Sequence, residues 1–363
     1  MNISKQSAFA SGILVLSSMM IFQSCSQDEE NNDPIPDYNS SGVYVVNEGG
    51  FNAGNASISF FDIAAKTMSN NIFQSANGFP VGDVAQSMTI NNGKGYIIVN
   101  NSQKVEVVNL SDFHSVTSIG GFSGPRYMVV KNNKGYVSDW FSNQIKVIDL
   151  NSNGIIKTIP TGDGPEKMCV AGTRLFVANC GGYNSDSTVS IIDTGNDSLI
   201  LTVQVGLNPN SVATDLNGVV WVLCGGSTGP DFTGGTADDT EGSIWSIEPL
   251  GGTATLRYTF LSSQHPIKMV SDGPGRYMYF LNGTDAYTGK IWVFDAVPVN
   301  ISPYSVVSKF FYGLGVDPGS GMLYGGTAPD FQQNGNVYRY SGSGVLNDSV
   351  QAGIAPNSFV FKN

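Results

Sequence analysis

Apolar positions in this chain fall in short runs parted by turn residues, and the runs recur at a fixed interval. "NNGKGYIIVN" begins at Asn91 and "KNNKGYVSDW" at Lys131, so Lys94-Gly95-Tyr96 and Lys134-Gly135-Tyr136 stand 40 residues apart. The echo continues with Val108-Asn109-Leu110 against Ile148-Asp149-Leu150, Pro125 against Pro165 and Met128 against Met168, all at an offset of 40. One unit reads as Pro with a short apolar run, a tight Asn/Gly turn, an alternating strand, a loop, a strand ending near Asp, and a last strand. Four strands repeating at about 40 to 50 residues are the signature of a propeller blade.

The innermost strand of such a unit occurs seven times, at Val84–Ile90, Arg126–Val130, Glu166–Val170, Asn210–Thr214, Ile267–Ser271, Phe310–Val316 and Asn357–Phe361. Second strands also number seven, from Val43–Asn47 to Met322–Gly325. The chain thus enters on a second strand and finishes on an innermost one. The pattern predicts an all-β, seven-bladed β-propeller over residues 42–363, its ring closed by the C-terminal strand joining the first blade. Closure removes free sheet edges. A β-solenoid would need end caps instead, and no helical period appears beyond the leader.

Residues 1–24 read as a leader to be set apart from the fold. Lys5 gives a weak positive start, and Phe9–Phe22 is an apolar stretch of 14 residues, too short for a membrane span. It ends in Phe22-Gln23-Ser24-Cys25, which resembles a bacterial lipoprotein signal with Cys25 as the lipidated residue. Ser26-Gln27-Asp28-Glu29-Glu30 then opens a polar tether through residue 41, and this acidic run resembles the surface-export signal of Bacteroidetes lipoproteins. The expected location is the outer membrane, held by the lipid alone and facing outward.

Composition narrows the chemistry. Among 363 residues, 44 are Gly and only 13% are charged, as suits a turn-rich β protein; the net charge of −11 disfavours nucleic acid. His114 and His265 are too few for a histidine-based metal site and are expected in loops or at the surface. Cys180 and Cys224 end strands in neighbouring units and both precede Gly-Gly. They either bridge, leaving Cys169 as a small buried hydrophobe, or all three stay free.

Short turns such as Asn91-Asn92-Gly93 join first to second strands. Longer loops, among them Glu48–Ala56, Cys180–Thr188, Gly225–Gly242, Gly283–Gly289 and Thr327–Gly335, join second to third strands on the opposite face. Loops on a rigid scaffold are where binding usually resides. The candidate ligand-binding residues there are Asn47, Glu48, Phe51, Asn52, Trp140, Phe141, Asn179, Tyr183, Phe232, Tyr287 and Phe331. They are joined by Gln86, Arg126, Asn210 and Asn357 at the openings of inner strands, beside Glu166, Lys167 and Lys268. Aromatic rings interspersed with amides suit a large, polar, mostly uncharged ligand. Asp231, Asp238, Asp239 and Glu241 have oxygen ligands for Ca²⁺ but not the spacing of a calcium loop. Neither a nucleophile elbow nor a phosphate-cradling Gly loop is present. No cofactor or catalytic residue is therefore expected.

"VYVVNEGGFNAGNASISFFDI" from Val43, "VGDVAQSMTI" from Val81 and "RLFVANCGG…TVSIIDT…VQVGLNPNSVAT" from Arg174 resemble the YncE-like propeller lipoproteins of Bacteroidetes, and among these the cobalamin-capturing BtuG group. The resemblance runs from Gly42 to the C-terminus. It implies a non-enzymatic surface receptor that captures a corrinoid and delivers it to a TonB-dependent outer-membrane transporter. The alternatives are a binder of a glycan or another nutrient, a protein-contact scaffold, or a lactonase- or quinoprotein-type enzyme. The last would hold a central metal or cofactor through Glu48, Asn179 and Asn210.

Overall fold

A computed structural model describes residues 38, 40–229, 234–285, 287–298 and 300–362. The expected leader, Cys25 and most of the tether lie outside the described residues, as do Asp231 and Phe232. Twenty-eight strands form seven antiparallel four-stranded sheets. Six sheets run in sequence order. The seventh, here blade 1, is shared between the chain ends, with Pro356–Lys362 innermost, then Gly42–Asn47, Ser57–Asp62 and Thr67–Ser69. Blades 2 to 7 begin with inner strands Ala85–Asn91, Pro125–Lys131, Pro165–Ala171, Pro209–Thr214, Ile267–Ser271 and Gly313–Val316.

Closure is a full ladder. Gly42 pairs with Lys362 on one side and Asp62 on the other, and pairing on both sides continues to Asn47. A second strand therefore has no free edge to template aggregation.

Alternation explains why second strands read as unbroken apolar runs. In Gly42–Asn47, Val43 and Val45 pack toward blade 7, while Tyr44 and Val46 pack toward blade 2. Successive side chains leave opposite faces of a strand, and here both faces meet a neighbouring blade. Seven apolar clusters result, one at each blade–blade interface.

The Lys-Gly-Tyr echo has a packing cause. A Cβ on Gly95 would come within 2.4 Å of the Met88 methyl, and one on Gly135 within 2.3 Å of the Met128 methyl. The inner-strand methionine covers each glycine. Tyr96 and Tyr136 beside them are buried between blades. The preceding turns are two-residue hairpins with positive φ at Asn92 and Gly93, and at Asn132 and Asn133. That backbone matches the right-handed strand twist and favours Asn and Gly.

Two expectations need correction. A helix does occur outside the leader, at Ile72–Asn77. Its six residues are too few to show a period; Ile72 and Phe73 plug the gap between blades 1 and 2, and Gly78 ends it at φ 76°. The innermost strand of blade 7 is Gly313–Val316, not Phe310–Val316, because Phe310 and Phe311 finish the outer strand of blade 6, Tyr304–Phe311. Gly313 is required there, since a Cβ would lie 2.4 Å from the Pro356 carbonyl of the closing strand. Among the described residues no helix is long and apolar enough to cross a membrane.

The closing ladder carries a stability prediction. Deleting residues 356–363 exposes one edge of Gly42–Asn47 and uncovers the apolar layer between blades 7 and 1. Size-exclusion chromatography and thermal melting are expected to show association and loss of the single cooperative transition; an unchanged monomeric melt would refute the role given to the seam.

Candidate functional site

Inner strands begin, and second strands end, on the same face of the disc. There a bowl of about 1300 Å³ opens over the central channel, lined by residues of all seven blades. Its floor is set by the blade repeat. Gln86, Arg126 and Glu166 lie 40 residues apart in sequence, hence at equivalent places in blades 2, 3 and 4. Arg126 grips both oxygens of Glu166, through Nε at 2.9 Å and Nη2 at 2.8 Å, and donates from Nη1 to Gln86 Oε1 at 2.7 Å. Bidentate pairing of this kind is among the stronger polar contacts. Burial works against the Arg126 charge, but Glu166 outweighs it and holds the guanidinium protonated.

Across the channel, Asn357 donates to Glu48 Oε1 at 2.6 Å and to the Gln86 carbonyl at 3.1 Å. The Tyr312 hydroxyl donates to the other Glu48 oxygen, and Lys268 donates to Asn357 Oδ1 and to the Tyr312 carbonyl. Lys268 Nζ also lies 3.9 Å from the centre of the Tyr312 ring, and Lys167 Nζ 5.7 Å from that of Tyr127. Desolvation raises Glu48 above the usual carboxylate range, with Lys268 opposing. It pushes Lys268 down to about 7 against the pull of Glu48, and Lys167 down to about 8 against that of Glu166.

One wall is aromatic. Trp140, Phe141 and Tyr183 stand 5.4 to 5.7 Å apart by ring centres, with Phe141 and Tyr183 stacked. Asp139 pins this corner by accepting hydrogen bonds from Ser123 N–H, Gly124 N–H and the Ser142 hydroxyl, and by pairing with Lys146 at 3.0 Å. Arg126 lies under Trp140, 5.1 Å from its ring. Yet Tyr183 is 86% exposed and Phe141 52%. Held aromatic rings left open to solvent are preorganised contact surface.

Of the candidates read from sequence, Glu48, Phe51, Gln86, Arg126, Trp140, Phe141, Tyr183, Asn210 and Tyr287 line the bowl. Five others do not. Asn47 and Asn179 are fully buried at the ends of second strands, where Asn47 donates to Ser57 and Ser59, and Asn179 to Thr188 and Ser190. Asn52 receives a hydrogen bond from Asn101 at the rim, and Phe331 packs edge-on against Tyr312. Asn357 sits beneath the floor as a brace. With Asn179 turned into its own sheet and Asn210 donating to the Pro266 carbonyl at 2.9 Å, the set Glu48, Asn179 and Asn210 does not converge. The sequence reading did not single out Tyr127 and Tyr312; Tyr127 follows Arg126 as Lys167 follows Glu166, a phase that points both into the channel.

His265 is buried, not superficial. Its Nδ1 lies 3.0 Å from the Gly225 carbonyl and its Nε2 3.2 Å from Asp239 Oδ2, tying down the long loop of blade 5. Burial pushes the Asp239 carboxyl up, but hydrogen bonds from His265, Gly235 N–H and Thr236 hold it below its ordinary range. Asp239 is thus a loop brace rather than a free metal ligand, and among the described residues no group of three His, Cys, Asp or Glu is arranged to hold a metal ion. Cys169, Cys180 and Cys224 are free thiols. Cys180 accepts the Trp140 indole N–H of blade 3 at 3.1 Å, while Cys224 is sealed in the apolar layer between blades 4 and 5. The two point into different surroundings and form no bridge.

The floor lysines make stability depend on pH. Burial brings folded Lys268 down to about 7, so it loses its proton progressively above that pH, whereas the unfolded chain keeps it to about 10.5. Unfolding then takes up a proton, so this contribution to stability rises with pH across that window. The urea midpoint is expected to increase from pH 7 to pH 9, and Lys268→Met to flatten the increase. An identical slope in the variant would place the titration elsewhere.

Likeness to known proteins extends to the fold. No curated protein matches the chain. Solved structures share its architecture at low identity. A quinonprotein alcohol dehydrogenase-like protein from Bacteroides thetaiotaomicron is 16% identical, with 90% of this chain and 79% of that one covered and a TM-score of 0.63. The periplasmic gluconolactonase PpgL of Pseudomonas aeruginosa is 12% identical over 88% and 99% of the two chains, at a TM-score of 0.63. Kuenenia stuttgartiensis hydrazine synthase is 15% identical over 76% and 88%, at 0.61. At such identity they share a propeller and nothing finer. A family model matches residues 41–228, more than half of the sequence, and the chain accordingly belongs to the family described as domain of unknown function DUF5074.

Proposed function

We propose that this chain is a non-enzymatic receptor that captures a large polar molecule in its bowl, a corrinoid such as cobalamin being the ligand class, and passes it to a TonB-dependent outer-membrane transporter. The observation that carries the reading is the bowl itself. At about 1300 Å³ it exceeds the usual range for drug-sized ligands, roughly 300–1,000 Å³, and it is open rather than slot-like. A corrinoid is broad and rimmed with amides. Its ring would lie against Trp140, Phe141 and Tyr183, while the side-chain carbonyls of Asn100, Asn101 and Asn184 line the mouth as acceptors, their amide N–H groups bonding to Pro125, Asn52, Asp83 and Asp163.

Capture without chemistry fits the state of the floor carboxylates. Both Glu166 oxygens are held by Arg126, and both Glu48 oxygens accept hydrogen bonds from Asn357 and Tyr312. Neither is placed as a free base. The lipoprotein-like Cys25 and acidic tether supply the expected anchor at the outer membrane, and the likeness to YncE-type lipoproteins supplies the transporter as partner.

Isothermal titration with cyanocobalamin tests the proposal: binding at micromolar concentration or tighter is expected, and no heat in that range defeats it. Replacing the 86% exposed Tyr183 by Ala removes one ring of the proposed contact surface, an aromatic contact worth about 0.5–1.5 kcal/mol. Affinity should therefore fall by roughly two- to tenfold, while the fold, which Tyr183 supports only at its surface, is retained.

A further inference from the structure

The floor holds more positive charge than its own carboxylates neutralise. Below pH 7, Arg126, Lys167 and Lys268 meet Glu48 and Glu166 there, three cations against two anions, while Asp238 lines the bowl from the long loop of blade 5. The anions are fully engaged. Glu166 is gripped by Arg126, and Glu48 by Tyr312 and Asn357. None of the ion pairs among the described residues includes Lys167 or Lys268.

The two lysines differ in what they have left to give. Lys268 donates to a carbonyl and an amide oxygen. Lys167 Nζ makes one long hydrogen bond, 3.4 Å to the Met269 carbonyl of blade 6. An ammonium carries three N–H donors, so Lys167 keeps capacity free at the bottom of an open bowl. Two neighbouring cations repel, and desolvation disfavours the charge of each. An anion arriving from the mouth relieves both costs. In a chain of net charge −11, this spot attracts what the rest of the surface repels.

We propose that Lys167 and Lys268 form a subsite for a phosphoryl group of the captured ligand. The inference rests on the bowl being a capture site. Two ammoniums from blades 4 and 6 act as separate point charges, which suits a tetrahedral oxyanion with oxygens on several sides, whereas the flat bidentate geometry for a carboxylate is already occupied by Glu166. A corrinoid carries a phosphodiester in its nucleotide loop, so ring on wall and phosphodiester on floor are mutually compatible.

The test is calorimetric titration of the purified chain with inorganic phosphate below pH 7, at ionic strength fixed with chloride, for the wild type, Lys167→Met and Lys268→Met. Phosphate is expected to bind and chloride not to, and Lys167→Met to weaken phosphate by about tenfold or more. Because Lys167 forms no ion pair and its desolvation outweighs the pull of Glu166, Lys167→Met should melt at or above the wild-type temperature without phosphate. Phosphate indistinguishable from chloride, unchanged affinity in Lys167→Met, or a lowered melt in that variant overturns the subsite. A cyanocobalamin titration separates the two readings. Phosphate binding that needs Lys167, without cyanocobalamin binding, upholds the subsite and removes the corrinoid. Cyanocobalamin binding that neither phosphate nor Lys167→Met weakens upholds capture and removes the subsite.

Discussion

Pairing between the last strand and the first described one is the contact on which this molecule depends. It joins groups 309 residues apart, the separation of Glu48 from Asn357. Without it blade 1 lacks its innermost strand, and the interface with blade 7 loses Phe359 and Phe361. The same ladder ends at Asn47 and Pro356, one residue short of Glu48 and one before Asn357. Ring closure and assembly of the bowl floor are thus a single event. Loop-closure entropy grows only slowly with length, so a long-range seam is affordable once the seven apolar interfaces are in place.

The floor and wall of the bowl are held in different ways. On the wall, aromatic rings are fixed by polar contacts behind them while their faces stay open. On the floor, acidic groups are saturated and basic ones are not. Buried charge is weak support for stability, since desolvation offsets attraction. In the proposed anion subsite, the stability lost by holding Lys167 and Lys268 without ion-pair partners would be recovered on binding.

Much of this was legible because a 40-residue step maps sequence directly onto the ring. Gln86, Arg126 and Glu166 share one phase of the repeat, and that is why they touch. The Lys-Gly-Tyr echo likewise reported one interface built twice, with Met88 and Met128 each filling the space that a glycine leaves. Direction was harder to read than position. Asn47 and Asn179 end second strands beside the bowl, yet their amides turn back to serine and threonine hydroxyls on the next strand. Nothing in the identity of an asparagine distinguishes that from facing a ligand. The matching Gly-Gly contexts of Cys180 and Cys224 hid a second case, for one thiol meets an indole and the other an apolar layer. A six-residue helix such as Ile72–Asn77 is too brief to carry periodicity, and its presence is decided by the gap it fills.

The first strand also fixes a polarity for the whole disc. It starts at Gly42 on the side of the hairpin turns and reaches the bowl only at Glu48. Tyr38, packed against Phe113, and Ser40, bonded to Asp62, lie at the starting side. Tyr38 and Ser40 thus belong to the side of the hairpin turns, and the seam between the chain's two ends presents only its last pair, Asn47 and Pro356, toward the bowl.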